Sequence, residues 1–233
     1  MPASAPRTAR AIARAELTRA ILGRARDQLA DVGPAALSVR AVARDLGMAS
    51  SAVYRYFPSR DALLTALIVE GYDDLGAAVE DADAGVRTRA LDQRWRAMCH
   101  AVRDWARAEP HRYALLYGSP VPGYAAPDDT IASASRVSLA LLALVRDAQV
   151  AGRAPVDGLR VSTAEQASIA PVRAFTDPAL DDSHATRALV AWATLFGTVS
   201  LELFGHMYRG VLDYDAHFAH IVDQLAADLG LTP

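Results

Sequence analysis

At 233 residues with 52% hydrophobic side chains, the chain can bury a sizeable core, which excludes a largely disordered protein. The single cysteine, Cys99, excludes an internal disulfide. Residues 1–17 lack a signal-peptide pattern, and the longest charge-free apolar stretch, Ala188–Leu201, is too short to span a membrane. We therefore expect a cytoplasmic protein that does not enter a membrane. The net charge of −3 is unevenly spread, because residues 1–60 hold ten arginines against four acidic residues, and a basic first quarter with an acidic remainder is typical of nucleic-acid binding through the N-terminal part.

The first quarter of the chain predicts three helices in quick succession. Apolar side chains recur at intervals of three and four residues, without the strict alternation of a strand, so we expect an all-α protein. The first helix covers about residues 12–32 and ends at Gly33-Pro34. Ser38 is a suitable N-cap for a second helix that ends at Gly47, and a third covers about residues 49–55. Two short helices joined by a glycine turn, with a supporting helix before them, are typical of a helix-turn-helix.

Longer helices are predicted beyond this motif. A fourth begins at Ser59 and Asp61 and reaches about residue 80, and the apolar stripe from Leu91 to Trp105 indicates a fifth that closes at Glu109-Pro110. After a short segment at 111–117 and a loop at 118–129, we expect helices at 130–151, around Pro171, at 184–208 and over the stripe 218–229. The helix at 184–208 is apolar on most sides, which predicts burial against a second subunit.

The amino-acid sequence of residues 37–64 gives evidence beyond the periodicity of its apolar residues. Tyr54 is followed by the aromatic pair Tyr56-Phe57 and by the basic Arg60, just before a leucine-rich helix. In these features the segment resembles the TetR family of bacterial regulators, and the likeness covers about residues 12–67. The resemblance implies an N-terminal three-helix DNA-binding domain, followed by a helical bundle that binds a ligand and dimerises. We therefore expect domains at 1–58 and 59–233.

The same resemblance implies which side chains meet double-stranded DNA. The third helix would enter the major groove, where Ser50, Ser51 and Ala52 are small enough to approach base edges. Arg40 lies where some relatives read a guanine. Contacts to phosphates, which set the register without reading sequence, are expected from four side chains: Tyr54, Arg55, Tyr56 and Arg60.

Two details near this motif leave alternatives open. The family usually places a capping serine or threonine before the recognition helix, whereas this chain has Ala49; Ser50 is an alternative cap, which would remove it from the base contacts. Arg7, Arg10 and Arg14 could form a flexible basic arm.

The second half of the chain has a weaker likeness. Trp192 to Gly197 resembles the tryptophan-histidine-glycine sensor domain of one TetR subgroup, with Phe196 in place of the histidine. The resemblance implies a homodimeric repressor that binds a palindromic operator with half-sites about 34 Å apart. It also implies that a small-molecule effector releases the repressor from the operator. No charge other than Glu202 looks buried in this half, which favours an apolar or neutral effector. The candidate ligand-binding residues are aromatic or thiol side chains: Trp95, Cys99, Trp105, Tyr113, Tyr117, Phe175, Trp192 and Phe196.

Other classes of function are less consistent with the sequence. Cys99 and His100 could suggest a thiol nucleophile and its base, but adjacent residues of a helix point about 100° apart, so we expect no enzyme. Asp213, His217 and His220 have helical spacing and leave a metal-sensing regulator or a helical metalloenzyme as the alternative, although we expect neither a metal nor another cofactor. A helical adaptor that does not bind DNA would leave the N-terminal basic block without a role.

Overall fold

The computed structural model describes residues 8–156, 160–175 and 178–232, except for the side chain of Phe175. Within these ranges the chain is all-α, as predicted, and contains no strand. Short 3₁₀ turns cover Pro34–Ala36 and Asp128–Thr130. The α-helices are α1 (Ala9–Val32), α2 (Val39–Asp45), α3 (Ser50–Tyr54), α4 (Arg60–Gly85), α5 (Leu91–Ala108), α6 (Pro110–Tyr117), α7 (Ile131–Ala134), α8 (Arg136–Val150), α9 (Thr163–Phe175), α10 (Asp182–Leu203) and α11 (Tyr214–Asp228).

The helices belong to two compact units. The first contains residues 8–71 together with 111–131, and the second contains 72–110 together with 132–232. Helix α4 is continuous from Arg60 to Gly85, so its first half belongs to one unit and its second half to the other. In the described ranges, no helix is both long enough and apolar enough to cross a membrane.

The first unit is built around the three N-terminal helices. The side chains of Ile21 and Ala25 from α1, Val42 from α2 and Val53 from α3 are completely buried in one apolar cluster. Leu63, Leu64 and Leu67 from the start of α4 complete that cluster. Burial of this size is the main stabilising contribution to so small a unit.

Local capping explains where these helices begin. The Oγ of Ser38 accepts from the backbone N–H of Ala41, which caps α2 as predicted. The Oγ of Ser59 accepts from the N–H of Ala62 at 3.0 Å and so starts α4. Helix α1 begins at Ala9, three residues before the predicted start, because Thr8 caps it.

The second unit packs α10 against α5, α8, α9 and α11. Two predicted helices differ from the structure here. The single helix expected at 130–151 is interrupted at Ser135, so α7 and α8 are separate. The helix expected at 184–208 ends at Leu203, before Gly205 at a φ of 76°. Helix α9 contains Pro171, as predicted, although proline cannot donate a backbone hydrogen bond to the carbonyl four residues earlier.

Buried charge in this unit corrects an expectation. Glu202 is not the only charge withdrawn from solvent, because Arg94 and Arg103 of α5 are also buried. Arg94 pairs with Asp83 at 2.6 Å and with Asp147 at 2.8 Å, and Arg103 pairs with Glu202 at 2.8 Å. Because the buried guanidiniums are paired inside the protein, they hold helices together and say little about the charge of a ligand.

Candidate nucleic-acid interface and effector cavity

The turn between α2 and α3 brings the two short helices into a helix-turn-helix. Gly47 adopts a φ of 65°, which lets the N–H of Met48 donate to the carbonyl of Ala43 at 2.9 Å. Val39, Val42 and Val53 point into the core of the unit. The remaining faces of the two helices are therefore directed away from the core.

Helix α1 supports this arrangement through polar contacts. The Oε1 of Gln28 accepts from the N–H of Ser38 at 2.8 Å, immediately before α2. At the other end of α2, Arg24 pairs with Asp45 at 3.1 Å. The hydrogen bonds that Arg24 donates to Asp27 and Asp45 raise the pKa of its guanidinium. Both ends of α2 are thus held against α1, which fixes the orientation of the turn and of α3.

None of the eight predicted DNA-contacting side chains is buried. Those of Arg40, Ser51, Tyr54 and Arg55 are exposed, and those of Ser50, Ala52, Tyr56 and Arg60 are partly exposed. Among the described residues, Arg40 and Arg55 have no hydrogen-bond or ion-pair partner. Their guanidiniums are therefore available to an external acceptor.

Two arginines near this surface have contacts that sequence reasoning missed. The guanidinium of Arg14 lies over the ring of Tyr56, 5.0 Å from its centroid, in a cation–π contact. Arg60 donates through Nη2 to the carbonyls of Pro34 at 2.8 Å and Ala35 at 3.3 Å, and it pairs with Asp61. Arg60 therefore ties the start of α4 to the turn before α2.

The alternatives near the motif are resolved by the helix starts. Ala49 occupies the cap position of α3 without a side-chain hydrogen bond, so the expectation that Ser50 could cap instead is wrong. Ser50 is the first helical residue. The flexible arm is also corrected, because Arg10 and Arg14 lie in the first turns of α1; Arg7 lies outside the described residues.

A cavity of about 380 Å³ lies in the second unit, between α8, α9 and α10. The described part of its wall contains no charged side chain and has two hydroxyls, that of Ser135 at the N-terminal cap of α8 and that of Ser138 in its first turn. Trp192 is 37% exposed, which is unusual for an indole surrounded by apolar side chains. The wall is formed by Ser135, Ser138, Leu139, Leu141, Leu142, Pro171, Val172, Ala188, Leu189 and Trp192.

Among the predicted ligand-binding residues whose side chains the structure describes, only Trp192 lines this cavity. Phe196 is buried and its ring lies 5.3 Å from that of Trp192. Trp95 and Cys99 are buried on α5, where the indole Nε1 of Trp95 donates to the carbonyl of Val222. Tyr113 and Tyr117 contact each other in the first unit. Trp105 lies on α5, away from the cavity wall, and the side chain of Phe175 is outside the described residues.

Of the residues considered for catalysis or metal binding, Cys99 is buried, and His100 and Asp213 have structural contacts. Burial raises the pKa of the Cys99 thiol well above its usual range, and the ring of His100 packs edge-on against Phe218. Asp213 caps α11 by accepting from the N–H of Ala216. Over the described ranges, no three His, Cys, Asp or Glu side chains converge in a way that could hold a metal ion.

Comparison with known proteins agrees with both halves of the chain. Residues 21–67 match the family model described as bacterial regulatory proteins, tetR family, and residues 95–225 match the tetracyclin repressor-like C-terminal domain. The chain is 41% identical over 203 residues to the HTH-type transcriptional regulator Rv1816 of Mycobacterium tuberculosis, covering 83% of each protein.

Two further relatives extend the comparison. The HTH-type transcriptional repressor Rv3405c of M. tuberculosis is 34% identical over 96 residues, which is 39% of this chain and 49% of the repressor. The crystal structure of a protein described as a regulatory protein, SCO4313, is 32% identical, covers 95% of this chain and 98% of its own, and superposes with a TM-score of 0.78. The chain therefore belongs to the TetR family of DNA-binding bacterial transcriptional regulators.

Proposed function

We propose that this regulator represses transcription by binding a palindromic operator as a homodimer, and that a small-molecule effector releases it. The observation that carries the proposal is the exposed face of the helix-turn-helix, where Arg40 and Arg55 have no partner within the described residues. A relative from M. tuberculosis named as a repressor supports the direction of regulation. Since its partner is chromosomal DNA, the protein acts in the cytoplasm.

On DNA, α3 enters the major groove with Ser50, Ser51 and Ala52 toward base edges, and Arg40 reads one base pair from α2. Tyr54, Arg55 and Tyr56 contact phosphates, and Arg14 orients the ring of Tyr56. Arg60 stabilises the arrangement of these side chains through its hydrogen bond to the turn before α2. Its remaining donor capacity is directed to the phosphates.

The homodimer forms through an apolar face of α10. Val190, Ala193, Leu201 and Phe204 are exposed, and with Gly197 they recur at intervals of three and four residues on one side of the helix. A glycine inside a helix costs roughly 0.5–1 kcal/mol relative to alanine. Nothing in the described part of the chain lies within 4 Å of a Cβ placed on Gly197, so its own fold does not require a glycine there. Close approach of the same helix from a second copy would require it.

The effector occupies the cavity between α8, α9 and α10. Its uncharged wall favours an apolar or neutral compound, oriented by the hydroxyls of Ser135 and Ser138. The exposed indole of Trp192 supplies apolar area that such a compound would cover. A compound that binds more tightly to the form of the dimer whose two helix-turn-helix motifs have the wrong spacing for the operator would release the DNA.

Selection of DNA fragments from the source genome with the purified protein tests the DNA-binding part of the proposal. On a recovered fragment, Arg40→Ala is expected to relax preference at one base-pair position by about 1–3 kcal/mol. Tyr54→Phe and Arg60→Ala are expected to weaken binding to all sequences alike. Arg89→Ala, which removes an exposed arginine of the second unit, serves as the control and should change neither property. Unchanged affinity in the first three variants, measured by fluorescence anisotropy, would contradict the docking of α3.

A further inference from the structure

The first turn of α8 has two different neighbours. Ser135, Ser138 and Leu139 line the cavity, whereas Arg136, which lies between them in sequence, reaches helix α4. The preceding helix α7 ends at Ala134, and Ser135 is the N-terminal cap residue of α8. A molecule in the cavity would therefore press on the same helical turn that carries Arg136.

Arg136 holds α4 through an unusually complete set of contacts. Its Nε and Nη2 donate to both carboxylate oxygens of Glu80, at 2.9 and 2.6 Å. Its Nη1 donates to the backbone carbonyl of Asp73 at 2.7 Å and to the carboxylate of the same residue at 3.3 Å. Bidentate pairing of this kind fixes direction as well as distance. Movement of the guanidinium would consequently be transmitted to α4.

Close packing reinforces the hydrogen bonds. Gly76 lies between Asp73 and Glu80 on the same side of α4, and a Cβ placed there would be 2.7 Å from the Cβ of Arg136. The missing side chain lets the arginine stem lie directly on the α4 backbone. Helices α4 and α8 are in close contact at this point, because a methyl group at position 76 would force them apart.

At the other end of α8 a second arginine contact ties the same helices. Arg94 of α5 pairs with Asp83 near the end of α4 and with Asp147 near the end of α8. Neither acidic residue lines the cavity between α8, α9 and α10. The Arg94 contact therefore serves as a fixed point, and the Arg136 contact is the one that a ligand can displace.

We propose that Arg136 is a positioning residue that couples occupancy of the cavity to the position of α4. The inference rests on the proposed function, since it takes the cavity as the effector site. Helix α4 continues without interruption into the first unit, where Leu63, Leu64 and Leu67 belong to the core that supports α2 and α3. A shift of the second half of α4 would therefore alter the support that its first half gives to the helix-turn-helix.

The test measures how strongly a cavity ligand and DNA oppose each other. The probe is N-phenyl-1-naphthylamine, an uncharged apolar fluorophore, and the DNA is a fragment recovered in the selection described above. Probe binding is followed by its fluorescence, and DNA affinity is measured with and without saturating probe. In the unmodified protein we expect the probe to weaken DNA binding by about tenfold.

Arg136→Gln should separate binding from coupling. We expect the probe to bind with an affinity within about twofold of the unmodified protein, while its effect on DNA affinity falls below about twofold. Gly76→Ala, which pushes the arginine away without lowering helix propensity, should reduce the coupling in the same direction. Arg146→Gln, an exchange of the same type farther along α8, is the matched control and should retain the full effect.

The outcomes distinguish the two ideas. If the probe does not bind, or if Leu139→Arg in the cavity wall fails to abolish binding, the assignment of the effector site fails. If the probe binds in the cavity but leaves DNA affinity unchanged in the unmodified protein, or if Arg136→Gln and Gly76→Ala both retain the full effect, the role of Arg136 is overturned while the DNA-binding function stands.

Discussion

Gly47 joins α2 to α3 at a φ of 65°, a conformation in which a side chain crowds the following carbonyl. A Cβ at this position would meet no neighbouring atom within 4 Å, so the requirement for glycine comes from the backbone alone. The residue is thus a local determinant of how α3 is presented, independent of the packing around it.

Gly47→Ala is expected to lower the free energy of unfolding by about 1–2 kcal/mol, measured by urea denaturation. Gly23→Ala is the matched control, because Gly23 lies inside α1 and an added Cβ would make only an ordinary contact, at 3.7 Å from Arg26. That exchange should stabilise the protein by roughly 0.5–1 kcal/mol. Equal effects of the two exchanges would show that the left-handed turn carries no strain.

Residue patterns predicted the exposed face of α3 better than they predicted the cavity. On α3 the pattern is local, since Val53 must face the core and its neighbours on the short helix then face outward. Trp95 and Trp192 look alike in sequence, yet one is buried with its indole hydrogen-bonded and the other borders a cavity. That difference depends on α8 and α9 packing nearby, which no local pattern encodes.

At the scale of whole helices, caps and breakers explain which bounds were predictable. Ser38, Ser59 and the Gly33-Pro34 pair mark helix ends by local hydrogen bonding or backbone preference, and the observed ends agree with them. The interruption at Ser135 has no glycine or proline, so the sequence gives no local signal for it. Pro171 is the converse case, because α9 continues through a residue that normally ends a helix.

The apolar face of α10 leads to a prediction for this helix. Gly197→Leu should convert the proposed dimer to a monomer, because a leucine at its centre would hold the two copies of α10 apart. The exchange raises helix propensity, so the monomer should keep its helical circular dichroism. Light scattering coupled to size-exclusion chromatography gives the mass directly.

The control for this experiment adds a leucine elsewhere. Ala167→Leu enlarges an exposed side chain on α9 and should leave the dimer intact. A dimer that survives Gly197→Leu would place the subunit contact on another surface, and a monomeric unmodified protein would contradict the homodimer altogether.

Charge is distributed over the whole molecule in a way that separates binding from stability. The arginine surplus of residues 1–60 leaves exposed guanidiniums on the helix-turn-helix, whereas the second unit holds its buried arginines in ion pairs. Asp83, which pairs with the buried Arg94, is consequently held in its ionised form, because its pKa is lowered. The stability of the second unit should therefore depend on pH in the acid range.

Asp83 and Asp181 allow the sign of this dependence to be worked out. Burial raises the pKa of Asp83, but hydrogen bonds from Arg94 and Arg87 outweigh it and the net pKa is lowered. For Asp181, burial likewise opposes and hydrogen bonds from His184 prevail, so its pKa is also lowered. Aspartates in the unfolded chain have pKa values of about 3.9. As the solution is acidified, the unfolded chain therefore binds more protons than the folded protein.

The free energy of unfolding should accordingly be highest above about pH 5 and fall as the pH drops through the unfolded and then the folded pKa values. Urea denaturation at constant protein concentration, from about pH 5 downward, measures this slope. Asp83→Asn removes one of the groups, so it should lower stability near neutral pH and flatten the acid slope, because the variant has one proton fewer to take up on unfolding. A slope that Asp83→Asn leaves unchanged, or a stability that rises on acidification, would mean that the buried pair with Arg94 does not hold this carboxylate ionised.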